Sequence, residues 1–249
     1  MNADTIISAL GLPDSASVNQ RVPKKLLLEN GAPTAADKRR INEGIEEIQW
    51  LASLKPNTIG VPDFADDTRE YLEIALLSVT LRAEAKAVRL AELIHRAIPY
   101  PLFLVLLQGG QAIISLAHKR RAQNEAGKFV LDGDIIEVTV AGNASENSQF
   151  LAALALGSQA RVNLLQLYQG WIDTLVALQA SKITGLFGKA TGKAAIARRE
   201  AVQKCKELEI KIATLRNTAA REKQIARCVE LNHDIKGLEA DLVVVKESL

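Results

Sequence analysis

Five carboxylates, Asp63, Asp66, Asp67, Glu70 and Glu73, crowd the approach to the apolar run Tyr71–Leu81. Acidic groups at the mouth of a strand are what a metal-dependent nuclease uses to hold a divalent cation. Asp67, Glu70 or Glu73 with His118 or Lys119 would supply the metal ligands and the proton-transfer group of such a site. The spacing argues against it. That chemistry wants a second carboxylate, a spacer and a lysine on one strand, so that metal and ammonium share a face. Here Glu73 is followed by Ile74 and Ala75, and the next lysine is Lys86. A nuclease is therefore the alternative reading, and an acidic loop ahead of a strand the ordinary one.

Gly188-Lys-Ala-Thr-Gly-Lys-Ala resembles a phosphate-binding loop, in which glycines expose backbone N–H groups to phosphate and a lysine reaches the terminal phosphates. That loop needs four residues between its glycines and Ser or Thr after the lysine. This chain has three, and Ala194 follows Lys193. A flexible linker fits better. Cys205, Cys228, His95, His118 and His233 are scattered singly, whereas zinc needs clustered ligands. No catalytic residue, cofactor or metal is assigned.

Two basic clusters remain, His118-Lys119-Arg120-Arg121 and the group Lys189, Lys193, Arg198 and Arg199. Such groups contact phosphate backbones, which makes a DNA-binding module a further alternative. Lys plus Arg total 31 against 29 for Asp plus Glu, so any attraction to DNA has to be local. Aromatic residues are only 4% of the chain, too few for a base-stacking platform.

The elements that would position these groups fall into four regions. Residues 1–145 alternate helical and extended signals, 146–184 read as helix after helix, 185–194 as a glycine-rich linker, and 195–249 as coiled-coil helices. The expected class is α+β: an N-terminal mixed sheet with helices on one face, then an all-α C-terminal region ending in a coiled-coil helical hairpin. In the first region the expected order is strand Val22–Leu28, a helix capped by Thr34 that reaches Leu54 through Ile41, Ile45, Ile48 and Leu51, and extended Thr58–Val61. Strand Tyr71–Leu81, helix Ala83–Ala97 and strand Leu102–Leu107 follow. Gly109-Gly110 turns a hairpin into Ala112–Leu116, and Asp132-Gly133 another, joining Phe129–Leu131 to Ile135–Val140.

The final region has the clearest pattern. Leu208, Ile212 and Leu215 form one apolar seam, and Leu231, Ile235, Leu238, Leu242 and Val245 another. The two are out of phase, so one straight helix cannot present both, and a hairpin or stutter near Asn217–Thr218 is implied. A seam without reacting groups argues for assembly, either within the chain or as a homo-oligomer through the coiled coil. Met1–Ser15 lacks the basic start and apolar core of a secretory signal. The longest apolar run, Pro101–Leu107, is far short of the roughly 18 residues of a membrane span. A cytoplasmic protein without a membrane partner is expected.

Several blocks carry a family likeness: Val22-Pro-Lys-Lys, Ile48-Gln-Trp-Leu, Leu54-Lys-Pro-Asn-Thr-Ile, Arg96-Ala-Ile-Pro-Tyr-Pro-Leu, His118-Lys-Arg, Leu167-Tyr and Val229-Glu-Leu-Asn. Through them the chain resembles, over nearly its whole length, the bacterial domain of unknown function 4391. That family brings no catalytic residues to carry over. Its genes often stand beside helicase-like restriction subunits and DNA methyltransferases. The resemblance therefore implies a non-enzymatic accessory subunit of a DNA restriction or anti-phage defence system, with such a protein as partner. Lys24, Lys25, His118, Lys119 and Arg120, with Arg121, Arg198 and Arg199 from the basic clusters, are the candidate contacts to a partner or to a DNA backbone.

Overall fold

The computed structural model describes residues 3–123, 125, 127–142 and 147–249, so the expected boundary at 145/146 lies outside the described residues. The chain forms two compact units, Met1–Leu175 and Val176–Leu249. The first opens with α1 (Ala3–Ala9), β1 (Ser17–Arg21), α2 (Lys24–Asn30), α3 (Ala35–Gly44) and β2 (Ile45–Leu54). It continues with α4 (Pro56–Ile59), β3 (Phe64–Ala65), β4 (Glu70–Tyr71), β5 (Ile74–Leu81), α5 (Ala87–Ala97) and β6 (Leu102–Gln108). Then come β7 (Gln111–Leu116), β8 (Lys119–Arg121), β9 (Phe129–Leu131), β10 (Ile136–Val140), α6 (Ser148–Leu154) and the first part of α7 (Leu164–Thr184).

The main sheet has six strands in the order β1-β2-β5-β6-β7-β10. It is mixed: β5 and β6 run parallel and the other neighbours antiparallel. Alternation along β5 sends Ala75, Leu77, Val79 and Leu81 to one face, where they meet Leu27 of α2, Ile41 of α3 and Leu90, Leu93 and Ile94 of α5. Helices α2, α3 and α5 thus form the layer on this face. On the opposite face Phe103 of β6 meets Trp171 of α7 edge-on, with ring centroids 5.2 Å apart. The Gly109-Gly110 hairpin is present, both glycines having positive φ.

Four expected elements are corrected. Val22–Leu28 is not a strand: Pro23 caps helix α2, which buries Leu27. The helix capped by Thr34 ends at Gly44, because Ile45–Leu54 pairs with β5 instead. Register shifts between Ile45 and Glu47 and between Trp50 and Ala52 add residues to the strand, so Ile45 and Ile48 both enter the core at a spacing that imitates a helix. Thr58–Val61 begins inside the helical turn α4, which Pro56 starts and left-handed Gly60 ends. Finally, Phe129–Leu131 pairs with β8 while Ile136–Val140 pairs with β7, so Asp132-Gly133 links two sheets rather than one hairpin.

In the second unit α8 (Gly192–Ala219) and α9 (Ile225–Glu247) form an antiparallel hairpin whose turn falls just beyond Asn217–Thr218. Arg216 pairs with Glu239 at 2.6 Å and Lys246 with Glu209 at 3.0 Å, which fixes the direction. Leu208, Ile212, Leu231 and Ile235 are buried, and Leu215, Leu238, Leu242 and Val245 half-buried. Both apolar series therefore turn inward within one chain. No helix among the described residues is long and apolar enough to cross a membrane.

Helices α2 and α5 approach closely at Gly31, where α2 ends. A Cβ there would lie 2.6 Å from both Ala97 Cβ and the Leu93 carbonyl oxygen of α5. Gly31→Ala is therefore expected to cost on the order of 2 kcal/mol through overpacking, read as a lower urea midpoint. Gly237→Ala serves as the control: nothing lies within 4 Å, so helix propensity alone acts and the midpoint rises.

Candidate functional site

The basic segment that leaves β7 is the centre of the site. Antiparallel register sets Ser115 opposite Leu104, so residues 117–119 run back past the start of β6 and the end of α5. The sequence reading places His118 and Lys119 among exposed contact residues. The structure corrects this, leaving them only 9% and 2% exposed.

Lys119 Nζ donates to the His95 carbonyl at 2.6 Å and to that of Ile98. Carbonyls in the last turn of a helix lack intrahelical donors, and a cation there satisfies them and opposes the helix dipole. Pro99 and Pro101, which follow, have no N–H to offer instead. Burial pushes the Lys119 ammonium down to about 7.

His118 belongs to a directional chain. Gln169 Nε2 donates to Asp173 at 2.8 Å, which turns Gln169 Oε1 toward His118 Nε2, also at 2.8 Å. His118 Nε2 must then carry the proton, leaving Nδ1 to accept from the Tyr71 hydroxyl. Burial raises the Tyr71 phenol well above its ordinary range, so it remains a donor. Tyr168 lies beside both rings and joins two strand ends: its hydroxyl accepts from Ala117 N at 2.9 Å and donates to the Leu102 carbonyl at 2.7 Å.

A second cluster adjoins this one through His95, and the sequence reading does not find it. Ser115 Oγ donates to Glu137 at 3.2 Å, so it accepts from His95 Nε2 at 3.0 Å. His95 is fully buried, and its Nδ1 has no partner among the described residues. Burial, reinforced by the Lys119 charge, pushes its pKa down to about 3. The available signal is that Ser115 and Glu137 are polar positions in two apolar strands, which become cross-strand partners only once register is known.

The acidic candidates are distributed among cations. Glu70 pairs with Arg121 at 2.7 Å, and Glu73 accepts from Ser53 at 2.6 Å and pairs with Lys55 at 3.2 Å. Asp66 accepts the backbone N–H groups of Thr68 and Arg69, while Asp63 and Asp67 are exposed. Asp132 takes Arg69 at 2.6 Å and Arg120 at 3.9 Å. The structure thus joins the acidic loop to the His118–Arg121 segment, but by ion pairs and hydrogen bonds. Among the described residues no group of three or more His, Cys, Asp or Glu is placed to hold a metal ion.

The other candidate contacts lie apart. Lys24 Nζ donates to the carbonyls of Ile45 and Asn42, and Lys25 is exposed beside Glu29 at 3.6 Å. Arg198 and Arg199 belong to the second unit, where Arg198 donates to the carbonyls of Gly188 and Leu249 and Arg199 is half-buried.

Residues 10–242 match the family described as Domain of unknown function (DUF4391). The chain belongs to this family. No curated protein and no solved structure matches it. Three of the blocks that carry the DUF4391 resemblance meet at one point. Lys119 of the His118-Lys-Arg block holds the Ile98 carbonyl of the Ile-Pro-Tyr-Pro block, and Tyr168 of the Leu-Tyr block holds Leu102 at its end. In this DUF4391 chain those residues clamp α5, β6, β7 and α7 together.

Proposed function

We propose that this DUF4391 chain is a non-enzymatic, cytoplasmic accessory subunit of a bacterial DNA restriction or anti-phage defence system. It docks on a helicase-like subunit or a DNA methyltransferase, with the C-terminal hairpin acting as a coiled coil that completes the assembly. One observation carries the non-enzymatic part. The acid and base groups nearest to a catalytic arrangement are spent on structure: Glu70 on Arg121, Glu73 on Lys55 and Ser53, Lys119 on helix carbonyls and His118 between Tyr71 and Gln169. A nuclease would need Glu70 or Glu73 released from these pairs.

The assembly part is supported by apolar side chains that the hairpin leaves in water. Ile210, Ile225, Val229, Val243 and Val244 are all more than half exposed. Exposed apolar side chains on a helical hairpin offer a partner helix or groove something to bury. A tagged full-length chain co-expressed with the proteins encoded beside its gene is expected to co-purify with a helicase-like subunit or a methyltransferase. Replacing Ile210, Val243 and Val244 with glutamine should weaken that capture at least about tenfold. A clean monomer with none of those proteins bound would remove the proposal.

A further inference from the structure

A cavity of about 430 Å³ opens between the end of α3 and the segment joining β5 to α5, lined by Arg39, Arg40, Glu43, Arg82, Glu84 and Lys86. Its size is within the range of small-molecule sites, and four cations face two carboxylates. The local pairing leaves that imbalance in place. Arg39 meets Glu43 only at 3.8 Å, with both side chains more than two-thirds exposed, a geometry that contributes little. Arg40 donates to Asp37 at 2.9 Å but shares that one carboxylate with Arg89, which binds both of its oxygens at 3.1 and 2.8 Å. Arg82 finds a backbone carbonyl of Glu43 at 3.3 Å.

The segment carrying Arg82 and Lys86 is fixed in place from below. Gln108, at the end of β6, donates its side-chain amide to the carbonyls of Arg82, Ala83 and Ala85 at 3.1, 2.9 and 2.7 Å. Two cations are thereby presented on a backbone that need not be ordered when an anion arrives, which lowers the entropic cost of binding. The nearby Lys24 ammonium is pushed down chiefly by burial, with Arg82 and Arg21 adding to it.

Guanidinium forks and an ammonium around an open, preorganised recess match the geometry and charge of phosphate oxygens. We infer that this cavity binds a phosphoryl group, held chiefly by Arg82 and Lys86 with Arg39 swinging in from Glu43. The same chemistry is offered by a free polyphosphate or nucleotide and by the backbone of a nucleic acid. None of these residues is among those used in the proposed docking of the hairpin, so the two ideas stand or fall separately.

Calorimetric titration of the full-length chain at low salt tests it, first with pyrophosphate and then with a short DNA duplex. Binding of pyrophosphate, weakened about ten- to a hundredfold by R82Q/K86Q and unchanged by K236Q at an exposed lysine of α9, assigns the site to a free anion. Binding of the duplex alone, lost in the same double variant, assigns it to a backbone phosphate. Thermal melts without ligand check that the variant is folded, and R39Q provides a second, milder loss. The inference is overturned if the wild-type chain binds neither probe, or if the folded double variant binds as tightly as the wild type.

Discussion

Trp171→Ala is expected to lower the unfolding free energy by about 5 kcal/mol, the largest loss from any single side chain in the first unit. Trp171 is fully buried, meets Phe103 edge-on and donates Nε1–H to the Leu154 carbonyl at 2.8 Å. Truncation removes the ring, leaves a cavity on the sheet face opposite α5, and strands a buried acceptor. Trp171→Phe separates these effects: most of the apolar contact is kept and the hydrogen bond lost, so a cost of about 2 kcal/mol is expected. Urea denaturation followed by far-UV circular dichroism measures both. A loss below about 2 kcal/mol for the alanine variant would show that this ring does not hold α7 to the sheet.

Acid should destabilise the fold before most carboxylates titrate, and His95 is the reason. Its pKa lies at about 3 in the folded chain against 6.5 for the free side chain. The unfolded state therefore binds the proton first. The neutral ring's contribution is complete above pH 6.5 and is lost as pH falls toward 3, by about 1.4 kcal/mol per unit and roughly 5 kcal/mol in all. Lys119 acts in the same direction over a higher window, since burial puts its pKa at about 7, below the 10.5 of a free lysine. Stability should accordingly rise from acid to mildly alkaline pH. His95→Gln preserves a donor to Ser115 and removes the titration. Its urea midpoint should be nearly level between pH 6.5 and 4.5, whereas a slope like that of the wild type would exclude His95 as the cause.

Much of the sheet is legible in the sequence because its central strands are continuous apolar runs. Leu102–Leu107 and Ile74–Leu81 are buried on both faces, and Gly109-Gly110 marks the turn that follows. The misread segments share a different cause. Ile41, Ile45 and Ile48 keep helical spacing through a helix end and a bulged strand, so periodicity alone cannot show where one becomes the other. Val22–Leu28 has the composition of a strand, yet it is the contact of Leu27 with α5 that makes it a helix. The site was less legible still. Lys119 and His118 belong to a residue class usually found in water, and only partners at Ile98, Tyr71 and Gln169 explain their burial. The His95–Ser115–Glu137 cluster depends on strand register, which no local spacing encodes.

The strands of the main sheet lie side by side in the order in which they occur along the chain. A nascent polypeptide can therefore add each strand to the one synthesised before it, without waiting for a distant segment. Phe103 is the exception, because the ring that covers it belongs to α7. Until that helix has left the ribosome, Phe103 lacks its covering ring. That interval, more than any property of the finished molecule, is when a chaperone would matter most.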